Sequence, residues 1–304
     1  MVSIIMLTYN HEKYIRQALT SVLSQNTSFS YEVLIGNDSS TDRTAQIIEE
    51  FMCPRDKRIR VYTHECNMGG SANLAVLLKQ ARGKYIASCE GDDYWTDPRK
   101  LQKQVNFLEC HAEYIGCTHK VTLVDKDGTP YQKQSLSWVK NTRIYTLSDF
   151  KGIYLPGHPV SMVYRNIFLN NLSATDLIEK VHRNIADRTI AVLLSSRGTI
   201  VRLDDNMACY RQVLEKDSSS LTSIEFAFDS YGKLTDMKIA NQLESYLQAG
   251  GCCIRFDGFR LRLVVKTFLK AILFRSSDSM DCCKKLLQEW RKFLRNRKNK
   301  GDFT

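Results

Sequence analysis

Three carboxylates lie close together in the segment YIASCEGDDYW, where an apolar run ends in Glu90, Asp92 and Asp93. Carboxylates at the end of a buried strand repel one another unless a cation or hydrogen-bond donors neutralise them. Mg²⁺ usually binds one or two carboxylates and completes its shell with water and phosphate oxygens. The cluster therefore predicts a Mn²⁺ or Mg²⁺ site with Asp92 as protein ligand and a phosphorylated ligand beside it. For Asp97 we expect a plainer role, capping the helix that follows Pro98.

Polar residues also follow two other apolar runs. Thr8, Tyr9 and Asn10 come after VSIIML, and Asn37 and Asp38 come after YEVLIG. Asn and Asp are common turn residues before a helix, and that role alone explains the second pair. A nucleotide explains both sets, because the Tyr9 ring can stack on a base and the Asp38 carboxylate can accept a hydrogen bond from a base imide N–H.

An alternation of strand and helix patterns positions these polar residues. Apolar runs at 2–8, 31–36, 58–63 and 84–89 predict four strands, and the 3.6-residue periodicity of segments such as 15–23 predicts helices between them. Strands that are apolar throughout, rather than alternating, indicate an α/β fold with a parallel sheet covered on both faces by helices. Ligands of such sheets bind beyond the carboxyl ends of the strands, which is where the polar clusters lie.

The pattern is less regular beyond the fourth strand. The later elements are a helix after Pro98, a loosely patterned region at 115–160, a strand at 158–165, a helix from Asp187 and a strand after Gly198. A Ser-rich linker follows from about residue 215, and basic helical patterns fill 260–275 and 281–296.

Four segments of the sequence carry a family resemblance: VSIIMLTYNHEKYIRQALTSVLSQ, YEVLIGNDSSTDRT, NMGGSANLAVLLKQARGKYIASCEGDDYWTDPRKLQKQ and YRQ. In this order they resemble the bacterial family 2 glycosyltransferases, which have the GT-A fold. The resemblance implies a Rossmann-like, mostly parallel sheet, a nucleotide-sugar donor bound across its carboxyl edge, and transfer with inversion. It covers residues 1–212, the predicted catalytic domain, and leaves 213–304 as a basic, mainly helical C-terminal region.

The resemblance also implies roles for single residues. The family's Asp-x-Asp metal motif is EGD at 90–92 here, followed by Asp93, so Asp92 is expected to hold Mn²⁺ or Mg²⁺ against the diphosphate. A pair of acidic residues in the family is Asn37 and Asp38 here, and the second holds the base. Arg211 matches an arginine expected near the diphosphate. The expected donor-binding residues are Thr8, Tyr9, Asn10, Asp38, Asn67, Asn73, Glu90, Asp92, Asp93 and Arg211, in which Asn67 and Asn73 belong to an N-x-G-x-x-x-N loop.

Inversion requires a base that takes the proton of the acceptor hydroxyl. In the family this is an acidic residue at the start of a late helix, which Asp187 matches, although the helix dipole favours an acid there in any case. Asp176 and Glu179 are the reserve candidates. We expect His158 to be a hydrogen-bonded structural histidine rather than an acceptor contact.

The charge of the chain is uneven. Residues 251–304 contain 14 Lys and Arg but 5 Asp and Glu, a net charge of +9, whereas residues 1–250 carry +1. Basic amphipathic helices suit an anionic membrane surface, and a helical bundle with solvated charges suits them equally. Nucleic-acid binding is disfavoured because no recognition motif accompanies the charge. No apolar run approaches the roughly 20 residues that cross a bilayer.

The ten cysteines show neither regular spacing nor an accompanying signal peptide. We expect reduced thiols in a cytoplasmic protein. The pairs at 252–253 and 282–283, and the group of Cys110, Cys117 and His119, do not match zinc spacing, so we interpret them as apolar filler.

These patterns favour an inverting, metal-dependent glycosyltransferase. We expect a UDP-sugar donor, because UDP is the commonest nucleotide in the family, and a lipid-linked saccharide acceptor in O-antigen or capsule biosynthesis at the inner face of the cytoplasmic membrane. The alternative is a non-catalytic nucleotide-sugar or glycan-binding module with the same fold. A phosphohydrolase is disfavoured because it does not need the base pocket of Tyr9 and Asp38.

Overall fold

The backbone divides into two units in this computed structural model, which describes residues 1–52, 56–152, 154–169, 171–213 and 229–301. The first unit comprises residues 1–150 and 154–213, and the second comprises 151–153 and 214–304. The Ser-rich linker expected after residue 215 begins outside the described residues.

Strands and helices alternate through the first half of the first unit, as the apolar pattern predicts. The elements are β1 (Val2–Thr8), α1 (Ile15–Leu23), β2 (Tyr31–Asn37), α2 (Thr44–Phe51), β3 (Ile59–Thr63), α3 (Gly70–Gln80) and β4 (Tyr85–Ser88). The later elements are β5 (Tyr94–Trp95), α4 (Lys100–Cys110), β6 (Tyr114–Val124), β7 (Ile144–Tyr145), β8 (Val163–Arg165), α5 (Leu172–Val181), α6 (Asp187–Ser195) and β9 (Thr199–Arg211).

The described strands form one nine-stranded sheet in the order β3-β2-β1-β4-β8-β6-β9-β5, with β7 paired to β9. Strands β1 to β4 are parallel to their neighbours among themselves, and β6 is parallel to β9. Strand β8 runs antiparallel to β4 and β6, and β5 and β7 run antiparallel to β9. The prediction of an α/β fold around a mostly parallel sheet is therefore confirmed.

Both faces of the central strands are buried. Ile4 and Met6 of β1 share one core with apolar residues of α1 and α4. Ile5 and Leu34 point to the opposite face, because successive side chains of a strand alternate, and they too are almost inaccessible to water. Burial on both faces explains why most positions of β1 and β2 are apolar.

Two predicted elements differ in the structure. The segment 158–165 begins as a 3₁₀ turn, because Val160 N donates to His158 Nδ1 and Pro159 has no N–H for a strand ladder, and β8 begins only at Val163. The loosely patterned region contains β6, which pairs with β9 along most of its length. The strand predicted after Gly198 is β9, which continues to Arg211 through the polar positions Asp204, Asp205 and Asn206.

The second unit contains three described helices, α7 (Asp229–Ala249), α8 (Asp257–Leu273) and α9 (Ser277–Gly301). Met237, Val264 and Leu286, one from each helix, share an apolar core. Beside it the fully buried Arg260 donates to Asn241 Oδ1 and Glu244 Oε2, both at 2.8 Å. A buried charge needs such a partner, since its removal from water is costly.

The described helices include none that is long and apolar enough to cross a membrane. None of the nine cysteines among the described residues takes part in a disulfide bond, and five of them are buried. Asp97 accepts a hydrogen bond from Arg99 N, the residue that precedes α4, and it pairs with Lys103. The N-cap of α4 is Arg99, without a side-chain capping bond, so Asp97 binds the turn before the helix and the predicted capping role is wrong.

Lys100 is a buried cation in α4. It is fully inaccessible to water, its Nζ has no hydrogen-bond partner among the described residues, and it lies 4.2 Å from the centroid of the Trp95 ring. The ring favours the cation by about 2 kcal/mol. Desolvation of an ammonium costs several kcal/mol and is the larger effect. Burial therefore lowers the pKa of Lys100 to about 7.

Lys100→Met is expected to raise the free energy of unfolding at pH 7 by about 1–4 kcal/mol. An unfolded lysine holds its proton up to a pH of roughly 10, whereas folded Lys100 loses it above about pH 7. Between these values the unfolded state binds more protons, so the wild type gains stability as pH rises and the advantage of the variant shrinks.

Urea unfolding at pH 7, 8 and 9.5 measures this difference. The control is Lys57→Met, where the side chain is exposed and a change within about 0.5 kcal/mol is expected. An advantage of Lys100→Met that stayed constant over this range, or a destabilised variant, would contradict the assignment.

Candidate active site

Three parallel strands end at one level and bring their loops together. Thr8, Asn37 and Thr63 are paired in register at the ends of β1, β2 and β3. The chain that leaves β4 stays beside β1, because Gly91 N donates to Leu7 O at 2.9 Å. The polar residues that follow β1, β2 and β4 therefore share the carboxyl edge of the sheet, as predicted.

Negative charge accumulates at this edge. Burial, together with the neighbouring carboxylates of Asp92 and Asp187, raises the pKa of Glu90 to about 8. Asp187 is the first residue of α6, and burial raises the pKa of its carboxyl as well. The Asp92 side chain is 30% exposed. The structure thus brings the predicted metal ligand and the predicted base to the same group of acids.

Asp93 lies beneath this group rather than in the open cleft. It is 1% exposed, its Oδ1 accepts from Arg211 N at 2.9 Å, and its Oδ2 lies 3.7 Å from His158 Nδ1. Burial raises the pKa of the Asp93 carboxyl well above its usual value. Its surroundings give Asp93 a structural role in place of the expected donor contact.

Arg211 binds the backbone of the loop that carries the acidic residues. Its Nε donates to Asp92 O at 3.0 Å, its Nη1 to Asp125 O and Lys126 O, and its Nη2 to Gln17 Oε1. Four of the five N–H groups of the guanidinium thus have protein acceptors. Arg211 positions the backbone of Asp92, and this role accounts for its burial without a contact to a diphosphate.

Gly91 lets the acidic loop approach β1 closely. A Cβ on this residue would lie 2.7 Å from His11 Nδ1 and 2.9 Å from Thr8 Oγ1. Both atoms are buried and lack hydrogen-bond partners among the described residues. His11 Nε2 lies 3.9 Å from Asp92 Oδ2. His11 was missed in the sequence, although it directly follows the polar residues that end β1.

Asp38 holds the loop that precedes α3. Its two carboxylate oxygens accept from Met68 N at 2.7 Å and from Gly69 N at 2.9 Å. From the other side, Arg183 donates to the backbone and side-chain oxygens of Asn67. Each carboxylate oxygen can accept two hydrogen bonds, so base recognition by Asp38 stays a prediction.

Asn73 is buried against the end of β2. It is 1% exposed, its Nδ2 donates to Gly36 O at 2.9 Å, and its Oδ1 contacts His64 Nε2 at 3.0 Å. With both ends of the amide engaged, Asn73 fixes the end of β2. The structure therefore does not support the expected donor contact of Asn73.

The loop after β1 is held by Asn10 and leaves Tyr9 accessible. Asn10 adopts a positive φ of 56°, and its Oδ1 accepts from Thr41 N at 2.8 Å. Asn37 Oδ1 accepts from Ser40 N in the neighbouring loop, which is the turn role expected for it. The Tyr9 ring is 37% exposed and available to stack on a planar group.

The remaining candidates lie apart from the acidic group. Asp176 and Glu179 of α5 are partly exposed and pair with Lys79 of α3. His158 is buried and stacked on Tyr210 at 3.8 Å, and burial lowers its pKa to about 3. A neutral, hydrogen-bonded His158 agrees with the structural role expected from the sequence.

The acidic group suits a divalent cation that takes few protein ligands. The described residues contain no cluster of three or more His, Cys, Asp or Glu side chains arranged around a metal position. Asp92 is 30% exposed beside Glu90, whose pKa is raised by burial and, in addition, by the carboxylates of Asp92 and Asp187. Mg²⁺ and similar cations need one or two carboxylates when phosphate oxygens and water supply the remaining ligands. The residues present therefore fit such a cation.

Comparison with known protein families gives one match over most of the first unit. The model described as "Glycosyl transferase family 2" matches residues 3–193. An uncharacterised protein of Mycobacterium tuberculosis is 42% identical over 211 residues, which cover 69% of this chain and 58% of that protein. TuaG of Bacillus subtilis, named as a teichuronic acid biosynthesis glycosyltransferase, is 34% identical over 159 residues, 49% of this chain and 60% of TuaG. The chain thus spans less than two thirds of either relative.

Solved structures show a similar fold. S. aureus TarS (residues 1–349) in complex with UDP-GlcNAc matches with a TM-score of 0.57 and 20% identity, over 96% of this chain and 91% of the TarS chain. Its complex with UDP gives a TM-score of 0.55 at 19% identity, with the same coverage. At this identity the similarity concerns the fold alone, and it confirms the predicted GT-A architecture.

Gly91→Ala is expected to lower the free energy of unfolding by about 1–3 kcal/mol, because the added methyl group overlaps His11 and Thr8. In a His11→Ala background the same change should cost less, since one of the two close contacts is gone. The control is Gly258→Ala, where an added Cβ has no atom within 4 Å. Urea unfolding of the four variants and the wild type measures these differences. If Gly91→Ala lowers the free energy of unfolding by the same amount in the wild type and in the His11→Ala background, the close contact between residue 91 and His11 is contradicted.

Proposed function

The chain belongs to glycosyl transferase family 2, and we propose that it transfers a sugar from a nucleotide-sugar donor to a saccharide acceptor with inversion at the anomeric carbon. The observation that carries the proposal is the position of Asp187 beside Glu90 and Asp92 at the carboxyl edge of the sheet. A base and a metal ligand in one cleft are the two groups that this reaction requires.

The donor is a UDP-sugar in this proposal. Tyr9 offers an exposed ring for the uracil, and Asp38 offers carboxylate oxygens near the loop that it holds at Met68 and Gly69. Support also comes from the similar fold of TarS, which has been solved with UDP and with UDP-GlcNAc.

Asp92, with Glu90 beside it, holds Mn²⁺ or Mg²⁺ in this proposal. When bound, the cation stabilises the negative charge that develops on the departing diphosphate. The chain contributes the geometry: Arg211 fixes the backbone of Asp92, and Gly91 allows the loop to lie against β1. The two carboxylates stay close together because this support prevents the loop from relaxing outward.

Asp187 is the general base. The acceptor hydroxyl oxygen forms the new bond to the anomeric carbon, the bond from that carbon to the diphosphate oxygen breaks, and the hydroxyl proton passes to the Asp187 carboxylate. Its position at the first residue of α6 fixes the carboxylate on a helix rather than on a loop. Attack from the face opposite to the leaving group gives inversion.

The acceptor is a lipid-linked saccharide in the synthesis of a surface polysaccharide such as O-antigen or capsule, and the reaction takes place at the cytoplasmic face of the membrane. The relatives support only the polysaccharide part of this proposal. TuaG carries a teichuronic acid biosynthesis name, and EpsE of Bacillus subtilis carries a glycosyltransferase name and is 38% identical over 113 residues, 37% of this chain and 40% of EpsE.

Donor hydrolysis with the purified chain tests the function. A glycosyltransferase is expected to release some UDP from its donor in the presence of Mn²⁺, and release should accelerate when a saccharide acceptor is added. A chain that binds a nucleotide sugar but releases no UDP under either condition would instead be a non-catalytic binding module.

Asp187→Asn is expected to lower the transfer rate by about 10²–10⁴-fold, the usual contribution of a general base, while donor binding is retained. Asp92→Asn should weaken Mn²⁺-dependent UDP binding as well as turnover, because it removes the metal ligand. The matched control is Asp176→Asn, whose carboxylate pairs with Lys79 on the surface.

Initial rates and UDP titration calorimetry, each with and without Mn²⁺, separate these effects. Near-normal turnover of Asp187→Asn, or a large loss in Asp176→Asn, would transfer the role of base to another acid. Mn²⁺-dependent UDP binding that survives in Asp92→Asn would refute the metal assignment.

A further inference from the structure

Helix α8 has two apolar faces, and one of them lies at the surface. Val264 and Ala271 are buried among the helices of the second unit, together with Thr267. The second face, which we call the exposed stripe, has exposed fractions between 43% and 74%. Its members are Leu261, Val265, Phe268, Leu269 and Ile272, followed by Leu273 and Phe274 at the end of the helix.

The spacing of the exposed stripe shows that it is a continuous surface. Its first five members follow one another at intervals of four, three, one and three residues, which is the repeat of a single helix face. Scattered exposed apolar residues are normal on a protein, but a contiguous apolar patch marks an interaction site. A helix that only packs within a bundle has no use for this second face.

Cations border the exposed stripe. Arg262, Lys266 and Lys270 each follow a member of the stripe by one position, which places them about 100° around the helix on the adjoining strip. All three are exposed, as are Arg255 before the helix and Arg275 after it. The sequence from Gly258 to Ser277 contains no Asp or Glu. From Leu261 onward the surface is therefore apolar, with cations along one side and at its C-terminal end.

An anionic lipid bilayer complements both properties. Lys and Arg stay among the headgroups and can extend their long side chains there, while large apolar side chains enter the boundary with the acyl chains. Neither property suffices alone, because stable attachment to a membrane surface generally takes two weak signals that act together. The exposed stripe supplies the apolar signal, and its border supplies the electrostatic one.

A second copy of the chain and a nucleic acid fit the exposed stripe and its cations less well than a bilayer does. In a symmetric dimer formed through the stripe, the same patch of both copies meets, so the cationic borders of two copies would face each other and repel. Nucleic acid would satisfy the cations through its phosphates but would leave the apolar residues exposed to water. The bilayer is the occupant that uses the apolar and the charged residues together.

We propose that the exposed stripe of α8 docks the protein on anionic membranes, with α8 parallel to the membrane plane. The stripe enters the interface, and the bordering Lys and Arg contact anionic headgroups. The proposal stands independently of the transferase activity, since it uses no residue of the candidate active site.

Sedimentation of the full chain with vesicles tests the docking. We expect binding to vesicles of phosphatidylcholine with phosphatidylglycerol at low salt, at least tenfold weaker binding at high salt, and little binding to pure phosphatidylcholine. Absence of binding to the anionic vesicles at low salt would overturn the proposal.

Three double variants locate the contact. Phe268→Ser with Ile272→Ser, and Lys266→Glu with Arg275→Glu, are each expected to weaken vesicle binding at least tenfold. The control, Lys284→Glu with Lys292→Glu, makes the same charge change on exposed positions of α9 and should weaken binding clearly less. All six positions are solvent-accessible, so circular dichroism should show unchanged helix content. Equal losses in the two charge variants would indicate attraction by net charge alone and overturn the specific role of α8.

Two further measurements distinguish a membrane from a second copy of the chain as the partner of the exposed stripe. Phe268→Trp is expected to show a blue-shifted emission on anionic vesicles, whereas Lys284→Trp should not, because only the first enters the apolar boundary. Light scattering gives the oligomeric state. A wild type that is dimeric, and becomes monomeric with Phe268→Ser and Ile272→Ser, would make the stripe an interface between copies and refute membrane docking.

Discussion

Repulsion among carboxylates at the end of β4 is the constraint around which the first unit is built. Glu90 is buried there, and the neighbouring carboxylates of Asp92 and Asp187 add to the effect of burial in raising the pKa of Glu90. A flexible loop would move its acids apart into water. Here the loop cannot do so, because Gly91 packs directly on β1 and Arg211 binds the backbone carbonyl of Asp92. These two contacts hold the acidic loop in place before any ligand binds.

The residues that hold the acidic loop and the strand ends in place are of the same charged and polar types as the residues that face the cleft. Arg211, Asp93 and Asn73 have the charged or amide groups that bind ligands, yet their hydrogen bonds run to backbone and buried side chains. Buried polar groups must be satisfied, and a loop without regular structure has many backbone groups to satisfy. A polar residue beside a cleft therefore has two possible uses. Its hydrogen-bond partners, rather than its type, decide between them.

The second unit has more apolar side chains than its own helical core covers. Its three described helices bury one apolar face each around Met237 and Val264. Arg260 is buried as well, and its guanidinium pairs with the carboxylate of Glu244. The apolar side chains of α8 exceed what this core can cover. The excess lies in a continuous strip with a cationic border, which is where the chain offers a surface to something outside itself.

The sequence by itself determined the alternation of strands and helices in residues 1–98, because buried parallel strands and amphipathic helices leave distinct apolar patterns. It also determined that polar residues after β1, β2 and β4 share one edge, a consequence of parallel strands. Only the tertiary structure decided which of those residues face the cleft. Asp92 and Asp93 are neighbours of one chemical type, and a turn of the backbone directs one toward solvent and the other toward Arg211. Contacts with Arg211 in β9 and with His158, both distant in the chain, hold that turn, and no local pattern records them.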